Sequence, residues 1–489
     1  MVVSVAAAYL LLSLVVGMWP GRKASNTAVG YVAGDRNLGL VVMYFITGAT
    51  VFSAFAFLGA PGWAYSKGAA SFYILAYGAM GFAPFYFLGP RAARLGREYG
   101  FVTQGAMVAH RFRTPAIAGV MAAISVVAFI PYLALQIQGA GMVLETATRG
   151  ALPVWAGGAI VYAVVLAYVL KSGVLGVGWT NTLQGIFMLV LAWGLGLYLP
   201  EVLYGGVGPM FEQIVATKPE HLVAPGSQWT WGQYSAAIIV STVGASVWPH
   251  LFMKAFTAKD DKTIRRTVVL FPTFQIFLVP LFLIGFAGVL FATSPGRPDQ
   301  ILPHILMNTD LPAVLVGLFC AGALAASMSS GDAMVHAAAS IAVRDGWRHA
   351  GGHEMAPERE RTVIRWLVVV VMIASYITAM IAHAYGVSLV MLLLSAYGAV
   401  VQFAPVVLAT LYLKHVTGRG VLGGLIAGSL VTTLFVLKPD LQPLKLHAGL
   451  YGLIANIIVM AWLSRGARTE DLNVDETTRF LAIAAGRDD

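Results

Sequence analysis

Long apolar runs, separated by short polar or Gly/Pro-containing segments, occupy most of the chain. A helix needs about 20 apolar residues to cross the hydrocarbon core of a bilayer. By that criterion the pattern predicts about 13 transmembrane helices. They cover residues 2–18, 40–65, 71–90, 115–144, 152–170, 179–203, 234–253, 267–293, 311–341, 364–386, 388–413, 420–437 and 447–464. The predicted fold class is therefore an all-α polytopic membrane protein.

The composition supports this interpretation. Of the 489 residues, 58% are hydrophobic and only 11% are charged, whereas soluble domains carry about 25% charged residues. Too few polar side chains are present to cover a soluble protein of this size, which excludes soluble enzymes, DNA-binding proteins and disordered chains. The single cysteine, Cys320, excludes a disulfide framework and a Cys-rich metal site. We expect a lipid bilayer, and no nucleic acid, as the surroundings of this chain.

The basic residues predict the orientation of the chain. With 13 alternating spans, one side holds Lys67, Arg149, Lys218, Arg297, Lys438 and Lys445, and the opposite side holds the remaining 25 of the 31 Lys and Arg residues. Because cytoplasmic loops are enriched in Lys and Arg, we expect the N-terminus outside and the C-terminus in the cytoplasm, in a plasma membrane of the bacterial inner-membrane type. The chain is predicted to be one transmembrane domain, residues 1–465, followed by a short solvated cytoplasmic tail, residues 466–489.

Two predicted spans are interrupted at matching places. The second span contains Gly48, Gly59 and Pro61, and the seventh contains Gly244 and Pro249. Each opens a block of five helices, which predicts a core of two inverted repeats, approximately 40–203 and 234–413, with one extra helix before it and two after it. Unwound backbone leaves carbonyl groups for a cation and N–H groups for an anion. For either helix alone, an ordinary tolerated kink remains the alternative.

The ninth span holds the densest polar cluster in the predicted membrane region. Ser329 and Ser330 offer hydroxyl oxygens, and the carbonyl of Ala326 lies one turn earlier. Hard cations prefer such oxygen ligands, although helical serines more often bond back to their own backbone. Asp332 follows, with His336 one turn further on the same face. A carboxylate inside a span is usually functional; a solvated position at the end of the span is the alternative.

The chain lacks the HExxH, GxSxG and Walker phosphate-binding motifs. A membrane enzyme or an ATP-driven pump would need a constellation of that kind in this chain or in a partner. The sequence therefore predicts a secondary transporter and not an enzyme.

At these residues the chain resembles the sodium:solute symporter family, which has the LeuT-type inverted-repeat fold. The resemblance extends over nearly the whole chain and is carried by GATVFSAFAFLGAPG at 48–62, QIQG at 136–139, GVGWTNTLQG at 176–185, WPHLFMKAFTAKD at 248–260 and QFAP at 402–405. It implies that sodium is the coupling ion. The sodium ligands it implies are the carbonyls of Ala49, Phe52 and Ala326 and the hydroxyls of Ser329 and Ser330.

One departure from the family pattern concerns a second cation site. Family members often carry an aspartate in a WTDxxQ motif, but this chain has Asn181 at that position, and Asp332 stands where a hydroxyl residue is expected. Our hypothesis is that the carboxylate has moved across one shared cavity, from position 181 to Asp332. There it would hold a second sodium ion, or carry a proton together with His336.

Seven residues near the interrupted helices are candidates for binding the substrate: Ser53, Phe57, Gln136, Trp248, His250, Tyr397 and Gln402. Helix packing or lipid contact is the alternative for the aromatic residues, and interhelical hydrogen bonding is the alternative for the two glutamines. The predicted lining has few hydroxyl groups and no Arg or Lys deep in a span, whereas a sugar needs many polar partners. We therefore expect a small carboxylate-bearing solute, such as a monocarboxylate, an amino acid or a pantothenate-like molecule.

Together these observations predict a sodium-coupled symporter that imports a small organic solute by alternating access, without an obligate protein partner. Two alternatives remain. One is a proton-coupled carrier on the same fold that uses Asp332 and His336, and the other is a sodium-coupled symporter of a sugar or another solute.

Overall fold

The computed structural model of the protein describes residues 1–20, 28–33, 36–226, 229–347, 355–465 and 474–487. The basic residues Arg22, Lys23, Arg348 and Arg468, which contribute to the predicted orientation, lie outside the described residues. So do residues 466–473 and 488–489 of the predicted tail.

The described chain is built from helices. In chain order they are α1 (Val2–Met18), α2 (Ala28–Ala33), α3 (Leu40–Val51), α4 (Ala60–Lys67), α5 (Tyr73–Met80), α6 (Phe85–Tyr99), α7 (Gln104–Phe112), α8 (Pro115–Ala147), α9 (Val154–Tyr204), α10 (Val207–Thr217), α11 (Trp231–Ala245), α12 (Pro249–Phe252), α13 (Lys254–Thr257), α14 (Asp261–Gln275), α15 (Leu278–Val289), α16 (Ile301–Met307), α17 (Ala313–Ile341), α18 (Pro357–Ala384), α19 (Leu389–Val400), α20 (Phe403–Tyr412), α21 (Gly418–Leu437), α22 (Ala448–Leu463) and α23 (Val474–Ala485). A π-helical turn, Phe55–Gly59, precedes α4, and a short 3₁₀ helix, Gly68–Phe72, follows it.

Eight helical segments of the described residues are long and apolar enough to cross a membrane, and three of them join consecutive helices: α11 with α12, α14 with α15, and α19 with α20. A ninth span is obtained if the pair Leu40–Val51 and Phe55–Met80, bent by 54°, is counted as one. This confirms a polytopic all-helical fold. Part of the difference from the predicted 13 spans comes from α9, whose 51 residues cover two predicted spans. Helices α1 and α22, with 17 and 16 residues, are also apolar but shorter. The number 13 itself stays a prediction.

The long helix α9 is divided by a glycine. Gly173 has φ 55° and ψ −142°, a conformation that only glycine adopts without strain. A Cβ atom at this position would also lie 2.6 Å from the ring and the carbonyl oxygen of Tyr31. The break therefore divides α9 into two helical segments, and it lets α2 approach the backbone closely.

Helices α8, α9, α17 and α18 pack pairwise into a scaffold, and α1 lies against α9 and α17. Helix α17 is rich in Ala, Gly and Ser, and every residue from Phe319 to Ile341 is buried. Small side chains let neighbouring helix backbones come close inside a membrane. This explains how the backbone of α17 reaches the interrupted helices on one side and α9 on the other.

The two predicted interruptions are present. Helix α3 ends at Val51, Phe52 has extended backbone angles (φ −87°, ψ 94°), and the chain resumes as a helix in the π-helical turn. Helix α11 ends at Ala245, and Trp248 (φ −54°, ψ 125°) precedes Pro249, the first residue of α12. Proline suits this first position because its missing N–H would have no intrahelical partner. Both breaks leave backbone groups outside the regular helical pattern.

Residues 474–485 of the predicted tail are not a solvated extension. They form the amphipathic helix α23, which packs against α6 and α20. Phe480 and Ala484 are buried, and the ring of Phe480 stacks on Tyr99 with the centroids 5.7 Å apart. Arg94 donates from Nη1 to the carbonyl of Ala484 at 2.9 Å, and Arg113 forms an ion pair with Glu476. Burial of the apolar stripe explains why this segment docks although much of its surface is polar.

We predict that Phe480→Ala releases α23 from the transporter domain. Removing a buried phenylalanine costs about 3–5 kcal/mol in protein cores, and this short helix buries few other large side chains. Hydrogen exchange over residues 474–485 should become much faster, and trypsin should cut more rapidly at Arg479. The matched control is Thr478→Ala, since Thr478 is exposed on the same helix. Unchanged protection in Phe480→Ala would show that α23 is held by other contacts.

Candidate functional site

The serines of α17 meet the end of α3 at the first helix break. Ser329 donates from Oγ to the carbonyl of Ala49 at 2.9 Å and shares its proton with the carbonyl of Ala326 at 3.0 Å. Ser330 donates to the carbonyl of Thr50 at 2.8 Å. All of these residues are completely buried. The structure thus brings Ala49, Ala326 and both serines of the predicted sodium ligand set into one cluster of hydroxyl and carbonyl oxygens.

Phe52, the fifth residue of that set, lies at the break itself. Its ring stacks on Phe274 with the centroids 5.3 Å apart and meets Phe277 edge-on at 4.5 Å. These ring contacts fix the position of the extended residue that ends α3. The structure records no hydrogen bond between the Phe52 carbonyl and either serine hydroxyl; Ser330 bonds to Thr50 instead.

Asp332 lies one turn further along α17 and receives hydrogen bonds from three side chains of α9. Tyr168 donates to Oδ2 at 2.7 Å and Thr180 donates to Oδ2 at 3.1 Å. The amide nitrogen of Asn181 donates to Oδ1 at 3.1 Å. Asp332 is completely buried, so the alternative of a solvated aspartate at the end of the span is wrong. Asn181 and Asp332 face each other directly, as the hypothesis of an exchanged carboxylate requires.

Thr50 joins the two clusters. Its carbonyl accepts from Ser330, and its hydroxyl lies 3.0 Å from Oδ1 of Asn181 and 2.5 Å from the carbonyl of Ile46. Movement of the first break would therefore disturb both clusters together. Thr50, Tyr168 and Thr180 are not among the site residues predicted from the sequence. Thr50 and Thr180 stand beside the candidates Ala49 and Asn181, but nothing in the sequence indicated Tyr168.

The extra first helix supports the aspartate from behind. A Cβ atom on Gly17 of α1 would lie 2.7 Å from the ring of Tyr168 and 2.8 Å from the methyl group of Thr180. Only glycine therefore lets α1 pack directly on two of the three donors to Asp332. The helix outside the predicted repeats thus contributes to the geometry around this carboxylate.

His336 does not accompany Asp332 in the structure, which corrects the expectation that the two residues interact. The Nε2 atom of His336 lies 3.0 Å from the carbonyl of Tyr31, and its ring packs against the Tyr31 ring at 5.0 Å. Its partner thus lies on α2, whereas the partners of Asp332 lie on α9. The spacing of one helical turn places both residues on the same face of α17, but different neighbouring helices supply their hydrogen-bond partners.

The second break opens onto a group of aromatic rings. Trp248 packs against Tyr132, His250 and Tyr397 with centroid distances of 5.1, 5.4 and 5.5 Å. The ring of Tyr397 also contacts the ring of Tyr77, with the centroids 5.7 Å apart. Three predicted substrate residues, Trp248, His250 and Tyr397, are therefore brought together in the structure, and we call this group with Tyr132 and Tyr77 the aromatic chamber.

Gln136 connects the aromatic chamber to the first break. It lies one turn after Tyr132 on α8, and its Oε1 accepts from the backbone N–H of Ala54 at 2.8 Å. Ser53 also lies at this break, where its hydroxyl accepts from the N–H of Phe55 at 3.2 Å. Both residues satisfy backbone N–H groups that the interrupted helix leaves without helical partners.

Phe57 and Gln402 lie apart from the aromatic chamber. The ring of Phe57 packs on Phe277 and Phe319. Gln402 donates from Nε2 to the hydroxyl of Thr432 at 3.2 Å and to the carbonyl of Gly449 at 3.1 Å, which ties α20 to α21 and α22. For Gln402 the structure therefore supports the interhelical alternative, and a contact with the substrate stays a prediction.

Three nitrogen atoms around the two breaks are buried without a hydrogen-bond partner among the described residues. They are Nε2 of Gln136, Nε1 of Trp248 and Nδ1 of His250. Buried polar atoms are nearly always paired, so three unpaired ones in one region need an explanation. The indole and amide nitrogens are donors only, and the imidazole nitrogen donates in one tautomer. The region is thus suited to a ligand that accepts hydrogen bonds.

A buried acid in a connecting segment positions the helix that carries Tyr397. Asp299 lies in the turn before α16, and its Oδ2 accepts from the N–H of Leu389, the first residue of α19, at 3.1 Å. Loss of solvation by burial raises the pKa of Asp299 to about 6, although the Leu389 N–H favours the ionised form. The start of α19 is therefore anchored by a carboxyl group and not only by apolar packing.

A sequence model of the sodium:solute symporter family matches residues 31–428, which is most of the chain. The chain belongs to the sodium:solute symporter family. The protein is thus a membrane transporter with sodium as its coupling ion, and the predicted family and fold class are confirmed.

Individual relatives match over nearly their whole length. An uncharacterized symporter of Bacillus subtilis, YhjB, is 29% identical over 472 residues and covers 93% of this chain and 95% of its own. A monocarboxylate transport permease of Rhizobium johnstonii is 23% identical, with 87% and 88% coverage. A sodium/proline symporter of Staphylococcus aureus is 26% identical, with 93% and 89% coverage.

Among solved structures, a substrate-bound, outward-open Na⁺-coupled sialic acid symporter matches with a TM-score of 0.79 at 18% identity. The match covers 96% of this chain and 98% of that one. At this identity the likeness supports the fold, which is the LeuT-type arrangement expected from the sequence.

The oxygen atoms gathered at the first break have the chemistry that sodium requires of its ligands. It consists of neutral hydroxyl and carbonyl oxygens, which are hard ligands. No group of three or more His, Cys, Asp or Glu residues that could hold a metal ion occurs among the residues that the structure describes. The oxygens of this cluster therefore fit an alkali cation better than a transition metal.

Proposed function

We propose that this symporter imports a small carboxylate-bearing solute together with sodium. The observation that carries the proposal is the set of unpaired nitrogens of Gln136, Trp248 and His250 beside the two helix breaks. A carboxylate has two oxygens with about four acceptor positions, which is enough acceptor capacity for donors of this number. Bonds from N–H groups to a charged acceptor are stronger than those between neutral groups.

The orientation of Gln136 supports this assignment. Because Oε1 is already bonded to the N–H of Ala54, the amide nitrogen is left to face other partners. Trp248 is held by Tyr132, His250 and Tyr397, so its N–H is pre-positioned and need not be ordered on binding. The aromatic surfaces suit an apolar body on the solute.

A sugar fits this arrangement less well. Its hydroxyl groups are donors as well as acceptors and need many polar partners, whereas the aromatic chamber offers mainly ring surface. The named relatives also point to acids: a monocarboxylate permease, a sodium/proline symporter and a sialic acid symporter. The solutes named for these three proteins share a carboxylate group. We keep monocarboxylates, amino acids and pantothenate-like acids as the candidates.

A thermal-shift screen tests the substrate class. The purified protein is heated with small monocarboxylates, amino acids or sugars, each with sodium and with potassium in its place. A ligand that binds only the native state raises the melting temperature, and we expect stabilisation by a carboxylate only when sodium is present. Trp248→Phe should then weaken binding of that ligand by about tenfold or more, because it removes one N–H bond to a charged group.

The matched control for that variant is Trp462→Phe, since Trp462 is 65% exposed on α22. Stabilisation by sugars but not by acids would contradict the carboxylate assignment. Equal ligand affinity in Trp248→Phe and the wild type would contradict the role given to this indole N–H.

We further propose that sodium binds between α3 and α17, at the oxygens of Ala49, Phe52, Ala326, Ser329 and Ser330. The hydrogen bonds of Ser329 and Ser330 to Ala49 and Thr50 support this, since they bring both elements within bonding distance of one ion. Sodium would replace these hydrogen bonds with ion–oxygen contacts and hold the first break against the scaffold. Its entry is driven by about 2.3 kcal/mol per charge for each 100 mV of membrane potential, in addition to its concentration gradient.

This direction of transport assumes the orientation predicted from the basic residues, with the basic side and the C-terminus in the cytoplasm. Release of sodium toward that side would leave α3 and α17 joined by their packing and by the hydrogen bonds of Ser329 and Ser330. These hydrogen bonds are weaker than contacts to an ion, and the break would be free to move.

Ser329→Ala should raise the sodium concentration that gives half-maximal transport by on the order of tenfold. The variant removes one ligand and also leaves the Ala49 carbonyl without its partner. Transport is measured in proteoliposomes over a range of sodium concentrations. Ser340→Ala is the control, because Ser340 is buried on the same helix but bonds back to the carbonyl of His336. If both variants kept the sodium activation of the wild type, this sodium site would be refuted.

For Asp332 and Asn181 we propose a second cation site. Three hydrogen-bond donors stabilise the carboxylate in the absence of a cation. Two of them are hydroxyl groups, which can rotate so that their oxygen lone pairs face a bound cation. Thr180 has alternative acceptors in the carbonyls of Gly176 and Val177, at 2.9 and 3.1 Å. The carboxylate could therefore bind a second sodium ion without moving its neighbours. A proton at Asp332 is the competing possibility, and it would not be relayed by His336, whose partner is Tyr31.

Asp332→Asn should reduce the number of charges moved with each solute molecule by one. The change keeps the shape of the side chain but removes its charge. Reversal potentials measured at different sodium gradients and at different pH values give the stoichiometry of each ion. A loss of sodium dependence identifies a sodium site, and a loss of pH dependence identifies a proton site. If neither quantity changed, Asp332 would have no part in coupling.

A further inference from the structure

A groove with a basic rim lies between α9 and α18, away from the central site. It has a volume of about 460 Å³ and is lined by Ala167, Leu170, Lys171, Thr362, Arg365, Trp366 and Val369. The groove thus combines two cations, an indole ring and an apolar wall. None of its lining residues belongs to the site proposed for sodium or for the solute.

The two cations come from separate parts of the chain and meet at this groove. Lys171 lies two residues before the glycine break of α9, and Arg365 lies in the third turn of α18. Arg365 is held in place by two contacts: its Nη2 approaches the carbonyl of Lys171 at 3.5 Å, and its guanidinium lies 5.7 Å from the centre of the Tyr31 ring. Its Nε atom is buried and has no hydrogen-bond partner among the described residues.

The surrounding charges leave the groove electropositive. Arg361 lies one turn before Arg365 on the same face of α18. Of the acidic residues at the start of α18, Glu360 is paired with Arg344, whose Nε lies 2.7 Å from its carboxylate. The other acid, Glu358, is exposed at the start of the helix. An anion in the groove would therefore meet several basic groups.

We propose that this groove binds the headgroup of an anionic phospholipid, such as phosphatidylglycerol. Phosphate oxygens suit the planar donor fork of Arg365, which can bond two of them at once. Trp366, 68% exposed, is typical of the interface between lipid headgroups and hydrocarbon. Ala167, Leu170 and Val369 provide the apolar surface that the first part of an acyl chain needs. Basic pockets between transmembrane helices are known to bind such headgroups.

Bound lipid would join α9 and α18 beside the break at Gly173. Tyr31, under the Arg365 guanidinium, donates its hydroxyl to the carbonyl of Val169 at 2.8 Å, and its own carbonyl lies beside His336 of α17. The lipid would therefore stabilise the place where α2, α9, α17 and α18 meet. This proposal does not depend on the identity of the solute.

The test compares lipid binding by the full-length chain and two double variants. Melting temperatures are measured in nanodiscs of phosphatidylcholine alone and with phosphatidylglycerol added, and bound lipids are counted by native mass spectrometry. We expect phosphatidylglycerol to stabilise the wild type. Its affinity should fall on the order of tenfold or more in Lys171→Gln/Arg365→Gln, because each base near the membrane surface contributes about fivefold.

The control, Arg359→Gln/Arg465→Gln, removes two exposed bases and should bind phosphatidylglycerol like the wild type. Should the first variant lose stability in phosphatidylcholine alone, Lys171→Arg/Arg365→Lys keeps both charges and should retain selective lipid binding. Equal binding of phosphatidylglycerol by all variants would overturn the proposal. Stabilisation by inorganic phosphate in phosphatidylcholine nanodiscs to the same degree would overturn the assignment to a lipid.

Discussion

A helix that is interrupted inside a membrane needs partners for the backbone groups that the interruption sets free, since lipid provides none. In this protein the scaffold helices provide them. Ser329 and Ser330 of α17 donate to the carbonyls of Ala49 and Thr50, and Gln136 of α8 accepts from the N–H of Ala54. These three side chains make the break between α3 and α4 possible. The candidate sites for ion and solute are both built around the polar groups that this arrangement gathers.

The same requirement explains the surroundings of Asp332. A buried carboxylate is costly unless it is paired or well hydrogen-bonded, and here Tyr168, Thr180 and Asn181 supply donors from a single neighbouring helix. Hydroxyl groups are suited to a site that exchanges ions, because rotation about one bond converts a donor into a ligand. Thr50 bonds to both the Ser330 cluster and Asn181. The two clusters are therefore joined through one shared residue.

Elements outside the predicted repeats also contribute to this geometry. Gly17 allows α1 to lie directly against two of the three donors to Asp332, and α23 packs against α6 and α20. At the groove between α9 and α18, basic side chains that a loop count assigns to orientation are gathered into a pocket. Helices outside the predicted repeats thus contribute packing contacts to the donors of Asp332 and to the transporter domain.

The sequence by itself determined the solvent, the helical class, the family and the position of both breaks. The solvent and the helical class follow from the length of the apolar runs and the scarcity of charge, and the breaks follow from glycine and proline within two spans. The family follows from the motifs that the chain shares with it. It also indicated Ser329, Ser330 and Asp332, because polar residues inside an apolar span are conspicuous. It could not decide which neighbour each side chain would choose.

Only the tertiary structure decided those partners. His336 lies within hydrogen-bond distance of the Tyr31 carbonyl, and Gln402 bonds to α21 and α22. Tyr168 and Thr180 donate hydrogen bonds to Asp332. The tail from Val474 to Ala485 folded onto α6 because of an apolar stripe in a mostly polar segment. Helical spacing fixes the face on which a residue lies. The hydrogen bonds of a buried group depend instead on which distant helix packs against that face, and this is a property of the assembled bundle.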